Sequence, residues 1–250
     1  MERAEYRRLL TEAYDLDKPE APPTELAFYR ECVARYGEPA LELMSGSGRF
    51  LVPLRAAEVD IDGCDASADM LAAAERRCAA AGVTAALHAQ AVEDLDLPRR
   101  YAFVFCGGGS FGLLRGDADV ARALERIRAH LLPGGRFLLE VETPAAAPPS
   151  VQPWTGRWWQ RPDGATIVLR GIGRYDEATR IEQGVGIYEL FVDGTLVETE
   201  LNNWVRRFWE PAEIVAAVAA AGFVDMRVTR AFTSEPASDG EPELSVLAIA

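Results

Sequence analysis

Residues 40–54 read ALELMSGSGRFLVPL, and this stretch decides the fold. A short apolar run at residues 40–44 leads into a turn with Gly46 and Gly48, and a helical pattern follows from residue 49. Glycine permits the positive φ angles of a tight turn and lets a ligand lie against bare backbone. The stretch therefore predicts a buried strand, a glycine turn and a helix, the first unit of a parallel α/β sheet.

The same alternation continues toward the C-terminus. We predict further strands at residues 59–64, 85–89, 101–105 and 136–141, and helices at residues 49–57, 68–81 and 118–132. The segment LLPGGR is a helix stop signal at the end of the last helix. Toward the N-terminus, apolar residues at helical spacing predict a helix with Thr24 as its N-cap and Gly37 after its end. Strands that alternate with helices in this way form a doubly wound, mostly parallel sheet.

The pattern changes after the Pro-rich and Ala-rich segment ETPAAAPPSVQP at residues 142–153. Three segments with strand-like alternation follow: TIVLRGIGRY, RIEQGVGIYEL and TLVETELNNWVRRFW. They predict an antiparallel β insert after the fifth strand. A helix at residues 212–221 and two strand-like runs, VDMRVTRAF and LSVLAIA, then close the fold as an antiparallel C-terminal strand pair.

Composition excludes several classes of function. The formal net charge is −13, and no dense basic run could neutralise a nucleic acid backbone. No stretch approaches the roughly 18 apolar residues of a spanning helix, and MERAEYRRLL is too polar for a signal peptide. The four cysteines form no CxxC pair, and only two histidines accompany them. We expect a cytoplasmic protein without a metal site, a nucleic acid partner or a membrane span.

Asp65 follows the second predicted strand and lies 19 residues after Gly46. This is close to the spacing of a ribose-binding acid in dinucleotide folds, and a carboxylate there can accept both ribose hydroxyls. The combination predicts nucleoside binding. Leu51 occupies the place where a pyrophosphate cofactor requires a third small residue, so the pattern disfavours NAD.

With these residues in view, the chain resembles the class I S-adenosylmethionine-dependent methyltransferases. Their glycine loop is similar to LELMSGSGR, their ribose acid matches Asp65 in GCDASADML, and their adenine-side segment is similar to QAVEDLDLP. The resemblance continues through YAFVFCGGGSF and ALERIRAHLLPGGRFLLEVETP, and the ending resembles the family's closing strand pair. Two residues depart from the pattern: Met44 replaces the first loop glycine, and Ala91 replaces an acid that often faces the adenine amine.

The resemblance implies S-adenosylmethionine as the cofactor and a role for each matching position. It implies that Glu42 orients the loop and that Gly46, Ser47 and Gly48 lie against the methionine part of the cofactor. It implies further that Asp65 binds the ribose, that Ala66 and Met70 lie beside the adenine, and that Val92 and Glu93 recognise the adenine. Cys106 and Gly107 are implied to lie near the sulfonium. We expect one domain over residues 1–250: an N-terminal helical cap at 1–39, a cofactor-binding core at 40–143, the antiparallel insert at 150–209, and a closing helix and strand pair at 210–250.

Methyl transfer from a sulfonium is an in-line displacement, so the protein must chiefly hold the acceptor and exclude water. The sequence accordingly contains no obvious Ser/His/Asp or Cys/His arrangement. We expect the variable segments to hold the acceptor through Tyr14, Phe111, Trp158, Trp204 and Arg206. The alternative is that the aromatic residues form the core of the insert. Glu142 is the candidate proton acceptor, with a solvated loop acid as its alternative.

The sequence thus predicts an S-adenosylmethionine-dependent methyltransferase acting on nitrogen or oxygen of a small-molecule acceptor. One alternative is a non-catalytic S-adenosylmethionine-binding module with a regulatory role. Another is a nucleotide-dependent oxidoreductase of related fold, which Leu51 and the insert disfavour. The acceptor, the atom methylated (N, O, C or S), the need for a general base and the oligomeric state are left open at this point.

Overall fold

The computed structural model describes residues 6–250. The helices are α1 (Arg8–Asp17), α2 (Pro23–Tyr36), α3 (Leu51–Ala56), α4 (Ala68–Ala81), α5 (Asp117–Ala129) and α6 (Pro211–Ala220). The strands are β1 (Ala40–Leu43), β2 (Ile61–Asp65), β3 (Leu87–Ala89), β4 (Tyr101–Cys106), β5 (Leu131–Glu142), β6 (Thr155–Gln160), β7 (Thr166–Asp176), β8 (Ile181–Val192), β9 (Thr195–Arg207), β10 (Val224–Arg230) and β11 (Glu243–Ile249). In this part of the chain no helix has both the length and the apolarity to cross a membrane.

Seven strands form the central sheet, in the order β10-β11-β5-β4-β1-β2-β3. The pairs β1–β2, β1–β4, β2–β3 and β4–β5 are parallel, whereas β11 runs antiparallel to both β5 and β10. The remaining four strands form an antiparallel sheet in the order β6-β7-β8-β9. The predicted fold class is confirmed: a doubly wound, mostly parallel sheet with an antiparallel closing pair and an antiparallel β insert.

Strand β1 lies inside the sheet, between β4 and β2, and is buried on both faces. Leu41 and Leu43 belong to a core with the buried residues of α5 and α6, and Ala40 belongs to the core on the opposite face with α2 and α3. Parallel strands covered by helices on both faces are apolar throughout, which is why ALEL reads as a continuous run. Between β1 and β4 the strand order reverses, and open α/β sheets form a ligand crevice at such a point.

Helix α1 joins the insert sheet to the central domain. Leu9 and Ala13 pack against Ile167 and Leu190 of the insert. The backbone N–H groups of Leu9 and Leu10 donate to the Glu200 carboxylate at 2.9 and 3.2 Å. These N–H groups lie in the first turn, where a helix offers no internal acceptor, so Glu200 serves as a cap from another strand.

Several predicted boundaries are wrong. Helix α2 begins at Pro23 with Pro22 at the N-cap, so Thr24 lies in the first turn and not at the cap; proline suits this position because its missing N–H is not needed. The helix predicted to reach residue 132 ends at Ala129, and LLPGGR lies in β5, because Leu131 pairs with Tyr101. Helix α1 and strand β6 were not predicted as elements.

A buried acid on β5 forms a polar cluster inside the apolar core. Glu140 accepts hydrogen bonds from the Tyr29 hydroxyl and from Ser245 Oγ. Burial raises the pKa of Glu140 to about 8, against the opposing effect of these two donors. Burial and the neighbouring Glu140 also raise the pKa of Tyr29. A side chain at Gly107 would overlap the Tyr29 hydroxyl, so this cluster explains why residue 107 is glycine.

We predict that Glu140→Gln flattens the pH dependence of stability. Because burial raises the pKa of Glu140 from an ordinary 4.5 to about 8, the folded state binds more protons than the unfolded state between these values. Its contribution to stability is therefore greatest below pH 4.5 and is lost as the pH rises to 8. One proton corresponds to at most about 1.4 kcal/mol per pH unit. Urea unfolding between pH 5 and 8.5 measures this slope, with exposed Glu125→Gln as the control; equal slopes in wild type and Glu140→Gln contradict the prediction.

Candidate functional site

A cavity of about 460 Å³ opens at the carboxyl ends of the parallel strands. Its walls include Met44, Ser45 and Gly46 after β1, the turn after β2 that begins at Asp65, and residues 107–110 after β4. These segments flank the point where the strand order reverses, which is the expected ligand position in an open α/β sheet. The fold therefore places the glycine turn and the acidic residue in one cavity.

Asp65 ties the glycine turn to the end of β2. The Gly46 N–H donates to Asp65 Oδ2 at 2.8 Å, and the Ser67 N–H donates to Oδ1 at 2.8 Å. Burial raises the pKa of Asp65, and the backbone donors of residues 46, 66 and 67 oppose this rise. Met44 and Gly46 both have positive φ, 51° and 54°, so the turn adopts its tight conformation even though Met44 is not glycine. The Asp65 carboxylate is consequently held in place at the cavity wall.

Two ionisable side chains at the cavity have buried polar atoms without a hydrogen-bond partner among residues 6–250. They are Oε2 of Glu42 on β1 and Nε of Arg49 after the glycine turn. Glu42 is only 4% exposed, and burial raises its pKa to about 8, while a backbone hydrogen bond from Leu51 and the positive charge of Arg49 oppose the rise. Unpaired buried polar atoms cost free energy, so such atoms at a cavity indicate a place where a ligand supplies the partner.

On the insert side, an arginine bridges two carboxylates. Nη1 of Arg206 on β9 lies 2.8 and 2.7 Å from the two carboxylate oxygens of Glu142, at the end of β5. Its Nε and Nη2 donate to Oε2 of Glu182 on β8 at 3.0 and 2.7 Å, and Gln152 donates to the other Glu182 oxygen at 2.8 Å. Because Glu142 and Arg206 both line the cavity, this chain of charges connects its wall to the interior of the insert.

The N-terminal segment covers the cavity. Tyr6, Tyr14 and Lys18 all line it. The Tyr6 and Tyr14 rings meet edge to face with centroids 6.2 Å apart. Burial raises the pKa of Tyr6 to about 12, so its hydroxyl is protonated at neutral pH. Helix α1 and the residues on either side of it therefore place two aromatic side chains and one cationic side chain at the cavity.

Comparison with known proteins identifies the family. Residues 40–135 match the family model described as a methyltransferase domain. Over 188 residues the chain is 35% identical to the dTDP-3-amino-3,6-dideoxy-alpha-D-glucopyranose N,N-dimethyltransferase of Streptomyces fradiae, an alignment that covers 72% of this chain and 71% of that relative. The chain belongs to the class I S-adenosylmethionine-dependent methyltransferases. The predicted enzyme class is thereby confirmed, and the regulatory-module and oxidoreductase alternatives are set aside.

Solved structures share the fold of this methyltransferase over its whole length. The CcbJ methyltransferase from Streptomyces caelestis has a TM-score of 0.77 and 22% identity, with 100% of this chain and 99% of that chain covered. CalS10, an amino pentose methyltransferase from Micromonospora echinaspora solved with S-adenosylmethionine bound, has a TM-score of 0.71 and 19% identity, with full coverage of both chains. The predicted cofactor, S-adenosylmethionine, is confirmed with the family.

The structure brings most of the predicted site residues of the methyltransferase to one cavity. Those that line it on the predicted cofactor side are Glu42, Gly46, Asp65, Ala66, Met70, Val92, Glu93 and Gly107. Those that line it among the predicted acceptor and proton-accepting residues are Tyr14, Glu142 and Arg206. The residues that do not line it are Ser47, Gly48, Cys106, Phe111, Trp158 and Trp204.

Packing accounts for the positions of Gly48 and Cys106. A Cβ at Gly48 would lie 3.0 Å from Val52 Cγ2 and 3.4 Å from Ala74 Cβ, so this glycine allows α3 to approach α4. The Cys106 side chain is fully buried, with Sγ 3.9 Å from Met44 Sδ. Ser47 is likewise buried. Each contributes to the support of the turn and not to the cavity wall.

The three aromatic residues outside the cavity have different surroundings. Phe111 is fully buried against Trp209, and Trp158 is 68% exposed on β6. Trp204 lies across glycines of β7 and β8: a Cβ at Gly184 would overlap its ring, and one at Gly173 would lie 3.2 Å away. Trp204 is therefore half-buried over the glycines of the insert sheet and belongs neither to the cavity wall nor to the buried core of the insert.

Sequence reasoning missed several residues at the cavity. Those with polar side chains include Tyr6, Lys18, Arg49, Ser110, Arg115 and Asn203. Two of them have a sequence feature that could have pointed to the cavity. Arg49 directly follows the glycine turn, and Lys18 is the only lysine in the sequence. Asn203 carried none, because its position depends on how β9, the edge strand of the insert, lies against the central domain.

We predict that replacing Trp204 by alanine lowers the stability of the protein, whereas replacing Trp158 does not. Trp204→Ala leaves the glycines of β7 and β8 uncovered and should cost about 2–3 kcal/mol, somewhat less than for a fully buried tryptophan. Trp158→Ala should change stability by less than about 0.5 kcal/mol because the ring is mostly in water. Urea unfolding of both variants provides the test. Equal stability losses, or a weaker affinity for S-adenosylhomocysteine in either folded variant, would refute this placement.

Proposed function

We propose that this methyltransferase transfers a methyl group in line to an amino nitrogen of a small-molecule acceptor. The observation that carries the proposal is the Glu142 carboxylate, which Arg206 holds at the cavity wall. A carboxylate accepts hydrogen bonds from an amine N–H and orients the nitrogen lone pair. The 35% identical relative is named for N,N-dimethylation of an amino sugar, which supports nitrogen over oxygen.

Polar atoms that are available for hydrogen bonds, and glycine backbone at the cavity, support the binding of the cofactor there. We assign Asp65 to the ribose hydroxyls, since its carboxylate is held in place and lines the cavity. Glu42 Oε2 has no partner among the described residues and suits the cofactor's ammonium. Gly46 offers bare backbone: a Cβ there would lie 3.8 Å from Met70 Sδ. Ala66, Met70, Val92 and Glu93 form the adenine side in this proposal, and Gly107 lies toward the sulfonium.

S-Adenosylmethionine, when bound, supplies an electrophilic methyl carbon on a positively charged sulfur. The chain's own residues hold the acceptor, exclude water and accept a proton. Glu142 accepts the hydrogen bond of the amine, and Arg206 keeps its carboxylate in position. Tyr6, just before α1, and Tyr14, on α1, cover the cavity, and Glu200 caps this helix. We treat residues 1–250 as one catalytic domain because α1, the central sheet and the insert all contribute to this cavity.

Asp65→Ala should weaken binding of S-adenosylhomocysteine by about 1–3 kcal/mol, because charge-assisted hydrogen bonds to the ribose are lost. Isothermal titration calorimetry measures the dissociation constant, and a cooperative thermal transition shows that the variant is folded. Asp119→Ala, on α5, is the matched control and should bind like wild type. If Asp65→Ala also binds like wild type, Asp65 does not contact the ribose.

Glu142→Gln should lower kcat/KM for an amine acceptor by about 10- to 100-fold, because the charged hydrogen-bond acceptor is lost. The dissociation constant of S-adenosylhomocysteine should stay within about twofold. A dTDP-linked 3-amino-3,6-dideoxyglucose serves as the first acceptor, and the corresponding 3-hydroxy sugar serves as its oxygen control. Mass spectrometry of the products tests the proposal, and methylation of the hydroxy sugar with no methylation of the amine would exclude the assignment to nitrogen.

A further inference from the structure

A buried acid of the insert, Glu182 on β8, shares Arg206 with the cavity acid Glu142. Glu182 is 5% exposed and is not among the described residues that line the cavity. Arg206 directs Nε and Nη2 to Glu182 Oε2, at 3.0 and 2.7 Å, and Nη1 to both oxygens of Glu142, at 2.8 and 2.7 Å. Two carboxylates therefore occupy different edges of one guanidinium.

The insert supplies the hydrogen bonds that a buried carboxylate needs at Glu182. The Gln152 side chain donates to Glu182 Oε1 at 2.8 Å, and the Gln152 backbone N–H donates to the Gly173 carbonyl at 3.1 Å. A Cβ at Gly173 would lie 3.2 Å from Gln152 Nε2, so this glycine leaves room for the amide. Both oxygens of Glu182 thus accept hydrogen bonds, which offsets the cost of burying the group.

Arg206 and Glu142 also have packing contacts on their other sides. The guanidinium carbon of Arg206 lies 4.8 Å from the Phe208 ring centroid, and Phe208 meets Tyr175 edge to face with centroids 5.3 Å apart. At the cavity end, a Cβ at Gly109 would lie 3.3 Å from Glu142 Cγ, so the turn after β4 packs directly against this acid. The arrangement of the three charged groups is therefore supported by the surrounding structure.

The three groups carry two negative charges and one positive charge. If Arg206 paired with Glu142 alone, the two charges would cancel, and Glu142 would be a weak partner for a cation. Arg206 also pairs with Glu182, which is buried away from any ligand in the cavity. The excess negative charge consequently lies at the Glu142 end, where a ligand can reach it.

Glu243 on β11 shows that the charge of Glu142 acts beyond its pair with Arg206. The two acids are opposite each other in the register of β11 and β5. Burial, together with the negative charges of Glu142 and Glu25, raises the pKa of Glu243 to about 7. This end of the cavity is therefore suited to a positively charged group.

We propose that Glu182 is a positioning residue that takes up the charge of Arg206, so that the Glu142 end of the cavity binds the acceptor nitrogen as an ammonium. This inference rests on the proposed function and deepens it, since it states the charge of the acceptor group when it binds. An ammonium donates hydrogen bonds and brings the positive charge that the three groups lack. A hydroxyl can also donate to Glu142, but it brings no charge.

An ammonium has no lone pair, so it must lose one proton before methyl transfer. The N–H bond breaks, the electron pair stays on nitrogen, and the Glu142 carboxylate accepts the proton. The excess negative charge that Glu182 maintains favours this transfer, because Glu142 is not neutralised by Arg206 alone.

The first test compares the dTDP-linked 3-amino-3,6-dideoxyglucose with its 3-hydroxy counterpart, each titrated calorimetrically into the full chain with S-adenosylhomocysteine present. Glu182→Gln should weaken binding of the amino sugar by about 5- to 30-fold, the effect of one charge at short range, and leave the hydroxy sugar within about twofold. Equal weakening of both sugars would indicate a structural effect and would overturn the proposal, as would no weakening of either.

Glu189→Gln is the matched control for this test. Glu189 lies on the same strand as Glu182 but on its opposite face, where it accepts hydrogen bonds from Arg170. The variant removes one acid paired with an arginine and should bind both sugars like wild type. If it weakens the amino sugar as much as Glu182→Gln does, the loss reflects net charge alone and the proposal is wrong.

Two further variants separate the charge of Glu182 from its contribution to folding. Glu182→Gln combined with Arg206→Met leaves Glu142 as the only charged member of the three, which restores the excess of one negative charge. This double variant should bind the amino sugar at least about threefold more tightly than Glu182→Gln alone. Glu182→Asp keeps the charge and should stay within about threefold of wild type. A double variant that binds the amino sugar no better than Glu182→Gln would exclude the role assigned to the charge.

Wild type provides a test that needs no variant. The excess affinity for the amino sugar over the hydroxy sugar should decrease as the pH rises past the pKa of the free amine. Arg206, which faces Glu142, stays protonated, and Glu243 gains negative charge on the same rise, which by itself would strengthen the binding of a cation. An excess affinity that stays constant or grows would contradict binding as an ammonium.

Failure of this inference can be distinguished from failure of the proposed function. If wild type methylates the amino sugar but Glu182→Gln binds it equally well, only the role of Glu182 is overturned. If wild type binds neither sugar, or methylates only the hydroxy sugar, the proposed function fails and this inference fails with it.

Discussion

The hydrogen bonds of the Asp65 carboxylate are the interaction on which the rest of the site depends. They join the N–H of Gly46, in the turn after β1, to the N–H of Ser67, at the start of α4. The carboxylate is costly to bury, and backbone donors offset that cost without using a counter-charge. The two turns are therefore held at one edge of the sheet, and the side of the carboxylate that faces the cavity remains available to a ligand.

The central sheet and the insert contribute to the cavity in different ways. Parallel strands that end at a common edge bring together short turns, which supply backbone, small side chains and buried acids. The insert supplies long side chains from an edge strand, above all Arg206, whose contact with Glu142 joins the two units. Helix α1 depends on both units, since Arg77 of α4 binds Asp15 and Glu200 of β9 caps the first turn. A change in the insert can therefore alter the Glu142 and Arg206 side of the cavity without altering the turns to which we assign the cofactor.

Buried acids have two distinct roles in this protein. Glu140 is fully buried and fully hydrogen-bonded, so it belongs to the support of Gly107 and the turn after β4. Glu42 is equally buried but has an oxygen without a partner at the cavity wall. Burial raises the pKa of both groups to about 8. Both acids therefore share the same rise in pKa, and this rise does not distinguish their roles. Their hydrogen bonding does: Glu140 has partners within the protein, as a structural acid does, whereas Glu42 has an oxygen that suits a ligand.

The sequence by itself determined the parallel sheet, the glycine turn and the position of Asp65, because strand, turn and helix signals act over a few residues and the carboxyl ends of neighbouring parallel strands must meet. It could not determine where helices end when a strand pairing competes, as at Leu131, nor where a cap lies beside two prolines. The insert shows the reason most clearly. Trp204 and Arg206 lie two residues apart on β9 and share a face of the strand, but the ring extends over the glycines of β8 while the guanidinium extends to Glu142. Only the tertiary structure decided this, because the direction of a long side chain depends on what the neighbouring strands leave open.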